Sequence, residues 1–322
     1  MSDPIVVGAD GSVPSERAVA WAADEAARYG RDLRIVHAIE KWPFDIPLTA
    51  APGEIGSLSR AGGEVLADAE RVAHARRPEV PVSAELASGR TVQVLAEWSR
   101  ESFELVVGHR GLGGFTGLLL GSVGLGVVRN TASPVVLVRG EPEAERAEIA
   151  VGVGLGDDSA TLEYAFRAAA TRNARLRVVH AWPFPEALDE PGAGSDLRRI
   201  EERARWRVIE AHAPMREHFP DVDVVEDIVQ DNPAAALVTA SRDVALVIAG
   251  TRPRTGLTAP RSHAVTHALI HHAHCPVAVV PPTPTEPEAA AWTVVRARPR
   301  RPGAPTCCWG WPWERCAGRL KK

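Results

Sequence analysis

Gly108-His109-Arg110-Gly111, nine residues from Leu112 to Leu120, and then Gly121-Ser122-Val123 place three permissive glycines, a guanidinium and a hydroxyl on one short stretch. Leu105-Val106-Val107 before them reads as a buried strand, and Val123 to Arg129 after them as the first turns of a helix. Strand, glycine-rich loop and helix start together make a phosphate cradle. Glycines let backbone N–H groups approach a phosphate without Cβ interference, and a helix N-terminus adds unpaired donors and partial positive charge. Ser122 is read as the N-cap of that helix or as a hydroxyl turned to the ligand.

Lysine is nearly absent, occurring only at Lys41, Lys321 and Lys322, so no G-K-[ST] P-loop exists and a buried Schiff-base lysine has no candidate. Bound phosphates would have to be neutralised by Arg110, by backbone donors and by Mg²⁺ as a candidate companion ion. No G-x-S-x-G elbow, H-E-x-x-H pair or C-x-x-C pair occurs, and no nucleophile and general base are assembled in the sequence. The expectation is a binding protein and not an enzyme, with a slow ATPase as the weaker alternative.

These residues need elements to hold them, and the chain supplies the same set twice. Val6 to Ser12 returns as Ala150 to Gly156, Val36-His37-Ala38 as Val179-His180-Ala181, Leu105 to Gly108 as Val247 to Gly250, and Ser133 to Val138 as Cys275 to Val280. Such order is a tandem duplication. A length of 322 residues suits two domains, expected at 1–142 and 143–282, each with a sizeable core. In each, short β-branched strands alternate with helices, which predicts an α/β fold of two tandem open parallel five-stranded sheets with helices on both faces. In the first copy the predicted strands are Ile5–Gly8, Leu33–Ala38, Val80–Leu86, Leu105–Gly108 and Val135–Arg139. The helices are predicted over Ser15–Tyr29, Leu58–Arg76, Thr91–Arg100 and Ser122–Asn130. Ligands of such sheets bind at strand carboxyl ends where the strand order reverses, and Gly8, Asp10, Ala38 and Gly108 all fall at such ends.

The spacing G-x2-G-x9-G-S resembles the nucleotide motif of the universal stress protein family, in its ATP-binding branch, over roughly residues 3 to 282. The resemblance implies a Rossmann-like fold of the adenine nucleotide alpha hydrolase type. It also implies ATP as ligand and a nucleotide-responsive role in the stress response. Asp10 would contact the ribose, Ala38 the adenine through its backbone, and Gly108, Gly111, Gly121, Ser122 and Val123 the phosphates. A carboxylate is a suitable acceptor for the two hydroxyls of a ribose. The family's last strand commonly pairs molecules, which here implies a homodimer or an intramolecular domain pair through Val135–Val138 and Val277–Val280. A scaffold that works without nucleotide is the alternative function.

The second copy departs from the motif: Asp10 aligns with Gly154, Gly111 with Pro253, and Gly121-Ser122 with His263-Ala264. Proline removes an amide donor, histidine adds bulk, and alanine cannot cap, so this copy is expected to have lost ATP, with Asp157 or Gly256 able to rebuild only part of a site. Gly152-Val153-Gly154-Leu155-Gly156 is G-x-G-x-G followed by Asp157, and the duplication explains it better than a dinucleotide site does. His263, His267 and His271 recur at helical spacing, and a structural or pH-sensitive surface is favoured over a metal site. His37 and His180 recur in both copies and read as structural.

Net charge is −4, which gives no global reason to bind nucleic acid, and no run reaches the 18 or so apolar residues of a membrane span. The start Met1-Ser2-Asp3-Pro4-Ile5 enters a strand at once without a leader pattern, so a cytoplasmic location is expected. Of four cysteines, Cys275 stands apart from Cys307, Cys308 and Cys316, and no disulfide framework is read. Residues 283–322 form a proline-rich linker and a basic tail containing Trp309, Trp311 and Trp313, read as a disordered appendage in preference to an anion-binding segment.

Overall fold

Asp10 and Ser12 turn the exit of strand β1 (Ile5–Gly8) directly into helix α1 (Val13–Tyr29). Ser12 Oγ donates to Asp10 Oδ1 at 2.6 Å, the Ser12 amide donates to the same oxygen at 3.0 Å, and Ser12 Oγ accepts from the Ser15 amide at 3.3 Å. Ser12 is thus the N-cap, with Pro14 in the first turn where its missing N–H is harmless, and α1 begins two residues before the predicted Ser15. Gly30, at φ +59°, ends the helix in the left-handed region.

The first repeat continues with β2 (Leu33–Ile39), α2 (Pro52–Arg76), β3 (Val82–Ser88), α3 (Thr91–Ser99), β4 (Glu104–Gly108), α4 (Ser122–Asn130) and β5 (Val135–Val138). The second has β6 (Glu148–Gly152), α5 (Ser159–Arg172), β7 (Arg175–Trp182), α6 (Gly194–His218), β8 (Val224–Gln230), α7 (Pro233–Ala240), β9 (Leu246–Gly250), α8 (Ala259–His272) and β10 (Val277–Val280). This computed structural model describes residues 3–40, 52–111, 121–140, 147–154, 158–182, 194–251 and 259–282, without the side chains of 52–56, 194–197 and 259–263. The chain divides into the units Met1–Pro282 and Thr283–Lys322; the expected linker and tail lie outside the described residues.

Each repeat forms the expected five parallel strands, but the two do not remain separate sheets. They join as one ten-stranded sheet of order β3-β2-β1-β4-β5-β10-β9-β6-β7-β8, parallel within each repeat and antiparallel where β5 meets β10. Leu137 pairs with Val277, Val136 with Ala278 and Val135 with Val279. All four residues of β5 and of β10 are buried, so separating these edges would expose apolar faces as well as unpaired backbone.

Alternation along the strands sorts the core by face of the sheet, not by repeat. One cluster, beneath α1, α2, α5 and α6, contains Ile5, Val7, Val106 and Val136 together with Ile149, Val151, Ile248 and Ala278. The other, beneath α3, α4, α7 and α8, contains Val6, Leu105, Val107 and Leu137 with Ala150, Val179, Val247 and Val277. Both cores therefore run through both repeats.

Polar groups also cross the junction. Glu25 on α1 and Glu104 on β4 are both fully buried. Arg172 of α5 pairs with Glu25 at 2.5 Å, and Tyr164 of α5 donates its hydroxyl to Glu104 Oε2 at 2.7 Å. Burial, followed by the nearby Glu25 charge, raises the Glu104 carboxyl to about 8, against the opposing pull of Tyr164, Arg172 and Arg31. Burial also pushes Tyr29 up to about 12. For Arg172, burial disfavours the charge, but Glu25, Tyr29, Tyr164 and Glu104 outweigh it and the group stays a cation. The sequence places a strand at Leu105 and gives no sign that the acid before it belongs to the interior.

Candidate functional site

The strand order reverses between β1 and β4, and the sequence-predicted residues meet at the carboxyl ends of those two strands. Gly8 and Gly108 end them, half-buried. At Gly108 a Cβ would lie 2.7 Å from the Pro14 carbonyl oxygen and 3.1 Å from the Ser15 amide, because the first turn of α1 crosses the end of β4. That crossing carries the Asp10 turn over to the loop. A Cβ on Gly111 would collide with Asp10 Oδ2, so the acid after β1 and the glycine after β4 are in contact across the crevice.

Asp10 is also tied into the turn. Its amide donates to Ser15 Oγ at 3.1 Å, while Oδ1 accepts both bonds from Ser12. Ala38 lies beside this turn because β2 overhangs β1: Gly8 pairs with Val36, leaving Ala38 two residues further along. His37 fixes the overhang through Nδ1, 2.7 Å from the Ala9 carbonyl oxygen. His180 makes the same bond to Val153 at 3.0 Å in the second repeat, which accounts for the recurring histidine structurally.

The far side of the crevice is the start of α4. Gly121, not Ser122, occupies the N-cap position, with extended backbone and no side-chain cap; Ser122 is the first helical residue and is exposed. The reading of Ser122 as N-cap is therefore corrected. The Gly121 amide is committed to the loop, donating to the His109 carbonyl oxygen at 3.0 Å. Donors for a ligand are then the first-turn amides of Ser122, Val123 and Gly124, at the positive end of the helix. Leu112 to Leu120 lie outside the described residues.

Arginine charge surrounds this end. Arg110 is half-buried, and its Nε is buried without a hydrogen-bond partner among the described residues. His109 places Nδ1 3.1 Å from the Val138 carbonyl oxygen. Burial lowers its pKa most; the bond to Val138 opposes this, and Arg139, Arg110 and Arg17 lower it further. Arg17 and Arg139 escaped the sequence reading. The signal for Arg139 was its place one residue past β5, since parallel pairing of β4 with β5 sets that position beside the residue after Gly108.

In the second repeat the position of Asp10 is Gly154, whose amide donates to Asp158 Oδ2 at 2.7 Å. Asp157, Pro253 and Gly256 lie outside the described residues. The alignment of His263-Ala264 with a helix start is corrected: α8 already begins at Ala259, so both residues lie a full turn inside it. Without a Gly121-like break the helix extends back to Ala259, with Pro260 in its first turn, where a proline is suited. The His263 side chain is outside the described residues. The rings of His267 and His271 lie 4.3 Å apart between centroids, while among the described residues no group of three or more His, Cys, Asp or Glu could hold a metal ion. No described helix is long and apolar enough to cross a membrane.

The profile of the universal stress protein family matches residues 1–139 and again 146–281. Universal stress protein Rv2005c of Mycobacterium tuberculosis is 31% identical over 284 residues, covering 85% of this chain and 96% of that protein. Universal stress protein Rv2623 of the same organism is 31% identical over 287 residues, covering 85% and 95%. The crystal structure of a universal stress protein from Archaeoglobus fulgidus superimposes with a TM-score of 0.64 at 19% identity, covering 87% of this chain and 99% of that one, a likeness of fold. With its repeated α/β pattern matched twice, once in each repeat, the chain belongs to the universal stress protein family as a tandem of two family domains.

Proposed function

We propose that the first repeat binds an adenine nucleotide, ATP, and that the chain acts as a nucleotide-responsive regulator of the stress response and not as an enzyme. The observation that carries this is the contact of the Asp10 carboxylate with the Gly111 backbone, one on each side of the β1/β4 crevice, with the uncapped start of α4 close behind. Asp10 would accept from the ribose, the overhanging Ala38 backbone would meet the adenine edge, and the α4 amides with Arg110 would hold the phosphates. The described residues give Mg²⁺ a poor fit: Asp10 is their one carboxylate at the site, already bonded to Ser12, and the phosphate side is arginine-rich. Among the described residues no general base is paired with a nucleophile here, which favours retention of the nucleotide over turnover.

Asp10→Asn tests the ribose role better than alanine, since asparagine keeps an acceptor for Ser12 while removing the charge. Calorimetry with ATP should show affinity falling about tenfold or more, the worth of a charge-assisted bond. Unchanged affinity would remove Asp10 from the site. The same titration on the intact wild-type chain should give one ATP per chain, because Gly154 offers no carboxylate and α8 lacks a start at the equivalent place. Two equivalent nucleotides per chain would sink that asymmetry. The intact chain is required, since separated halves would lose the β5–β10 pairing and both shared cores.

A further inference from the structure

Arg139 stands between the phosphate side of the first repeat and the second repeat. Gly108 pairs with Val138, which sets Arg139 beside His109 at the mouth of the loop. On its other side β5 runs antiparallel to β10, bringing the turn between α8 and β10 to the same end of the sheet. Arg139 reaches into that turn: Nη1 donates to the carbonyl oxygens of Leu269 at 3.2 Å and Ile270 at 2.5 Å, and Nη2 to that of His271 at 3.0 Å. The Ile270 and His271 carbonyls lie in the last turn of α8, where a helix leaves acceptors unpaired and carries partial negative charge, while the Leu269 oxygen also accepts the Ala273 amide at 2.9 Å. Gly140, at φ +72°, seats the following residue so closely that a Cβ there would strike the His274 carbonyl oxygen.

The contact has no reciprocal. The position equivalent to Arg139 in the second repeat is Pro281, which has no side-chain donor. Arg139, Arg110 and Arg17 all act on His109, and Arg110 also acts on Arg139. Like charges gathered this closely repel one another, so a long arginine side chain would turn out to solvent unless something held it. The end of α8 holds this one.

We propose that Arg139, clamped by α8 of the second repeat, is a positioning residue for the polyphosphate end of the first repeat's site, making nucleoside polyphosphates the preferred ligand class over monophosphates. This rests on the nucleotide reading above and assigns the second repeat a part in it: α8 holds a further guanidinium on the residue that the β4–β5 pairing sets beside His109, where the described residues include no lysine and give little support for a metal ion.

The test uses the full chain and three probes: ATP, AMP and inorganic tripolyphosphate, titrated calorimetrically into wild type, Arg139→Gln and Arg139→Lys. NMR follows the titration of His109 in parallel. Arg139→Gln should weaken ATP and tripolyphosphate about tenfold, or about 1.4 kcal/mol, leave AMP within about twofold on the same scale, and raise the His109 midpoint. Arg139→Lys should recover much of the loss by restoring charge. Equal losses for ATP and AMP would make Arg139 a structural brace and overturn the proposal, as would unchanged ATP affinity or a wild type that ignores tripolyphosphate. Should the wild type bind tripolyphosphate in an Arg139-dependent way but neither nucleotide, the nucleotide reading falls and the arginine cluster stands.

Discussion

Replacing Glu104 with glutamine is expected to stabilise the chain increasingly as pH rises from 5 to 8. An ordinary glutamate ionises near 4.5, but the buried Glu104 holds its proton to about 8. Between those values the folded chain keeps a proton that the unfolded chain releases, so stability falls with rising pH by about 1.4 kcal/mol per unit and levels off above pH 8. Below the unfolded value the penalty vanishes. Glutamine cannot ionise and still offers an oxygen to Tyr164, so the variant should lose this slope and exceed wild type by roughly 3–5 kcal/mol near pH 8. Urea unfolding midpoints from pH 5 to 9 decide it; parallel curves for the two proteins would show that Glu104 is not a buried acid.

Arg172→Met is expected to be damaging in the opposite sense. Glu25 is fully buried and, among the described residues, keeps Arg28, a side chain 35% exposed, as its ion-pair partner once Arg172 is gone. Breaking a buried pair by removing one partner costs about 3–5 kcal/mol, and the remaining Arg28 should hold the loss near the lower figure. Adding Glu25→Leu should return most of it, because an apolar pair needs no desolvation of charge. Denaturation of the two single variants and the double variant closes the cycle. A double variant as unstable as the sum of the two singles would mean that Glu25 and Arg172 do not act as a pair.

Much of the fold was legible because it rests on local periodicity. Runs such as Val6-Val7-Gly8 and Leu105-Val106-Val107 between helical stretches give strand and helix order, and recurrence at a fixed interval gives the tandem. The site was legible to the extent that it follows strand ends: Asp10, Ala38, Gly108 and Gly111 gather where the order reverses. Longer-range features were not. Val135–Val138 and Val277–Val280 are apolar on both faces, which says that they are buried; that these strands pair was implied by the family resemblance alone, which left a homodimer and an intramolecular domain pair open until the β5–β10 register decided for the latter. Glu104 and Glu25 look like surface acids because their partners, Tyr164 and Arg172, lie in the other repeat. The helix over Ser122–Asn130 was legible, but of the two roles read for Ser122 the N-cap falls to Gly121, since a Gly-Ser pair leaves the cap open until the His109 carbonyl engages Gly121. Arg139 was missed because its neighbours on both sides come from pairing and not from sequence.

Antiparallel contact between β5 and β10 has a consequence for how the protein responds to its own abundance. Two independent chains paired along such a strand would separate on dilution and reassemble as expression rose. Here the partners are covalently joined, with only residues 139–147 between β5 and β6, and a short tether corresponds to an effective concentration in the millimolar range. Pairing is then indifferent to how much protein the cell makes, and its composition is fixed as well. A motif-bearing repeat always faces a motif-lacking one, and two motif-bearing repeats never meet across this strand.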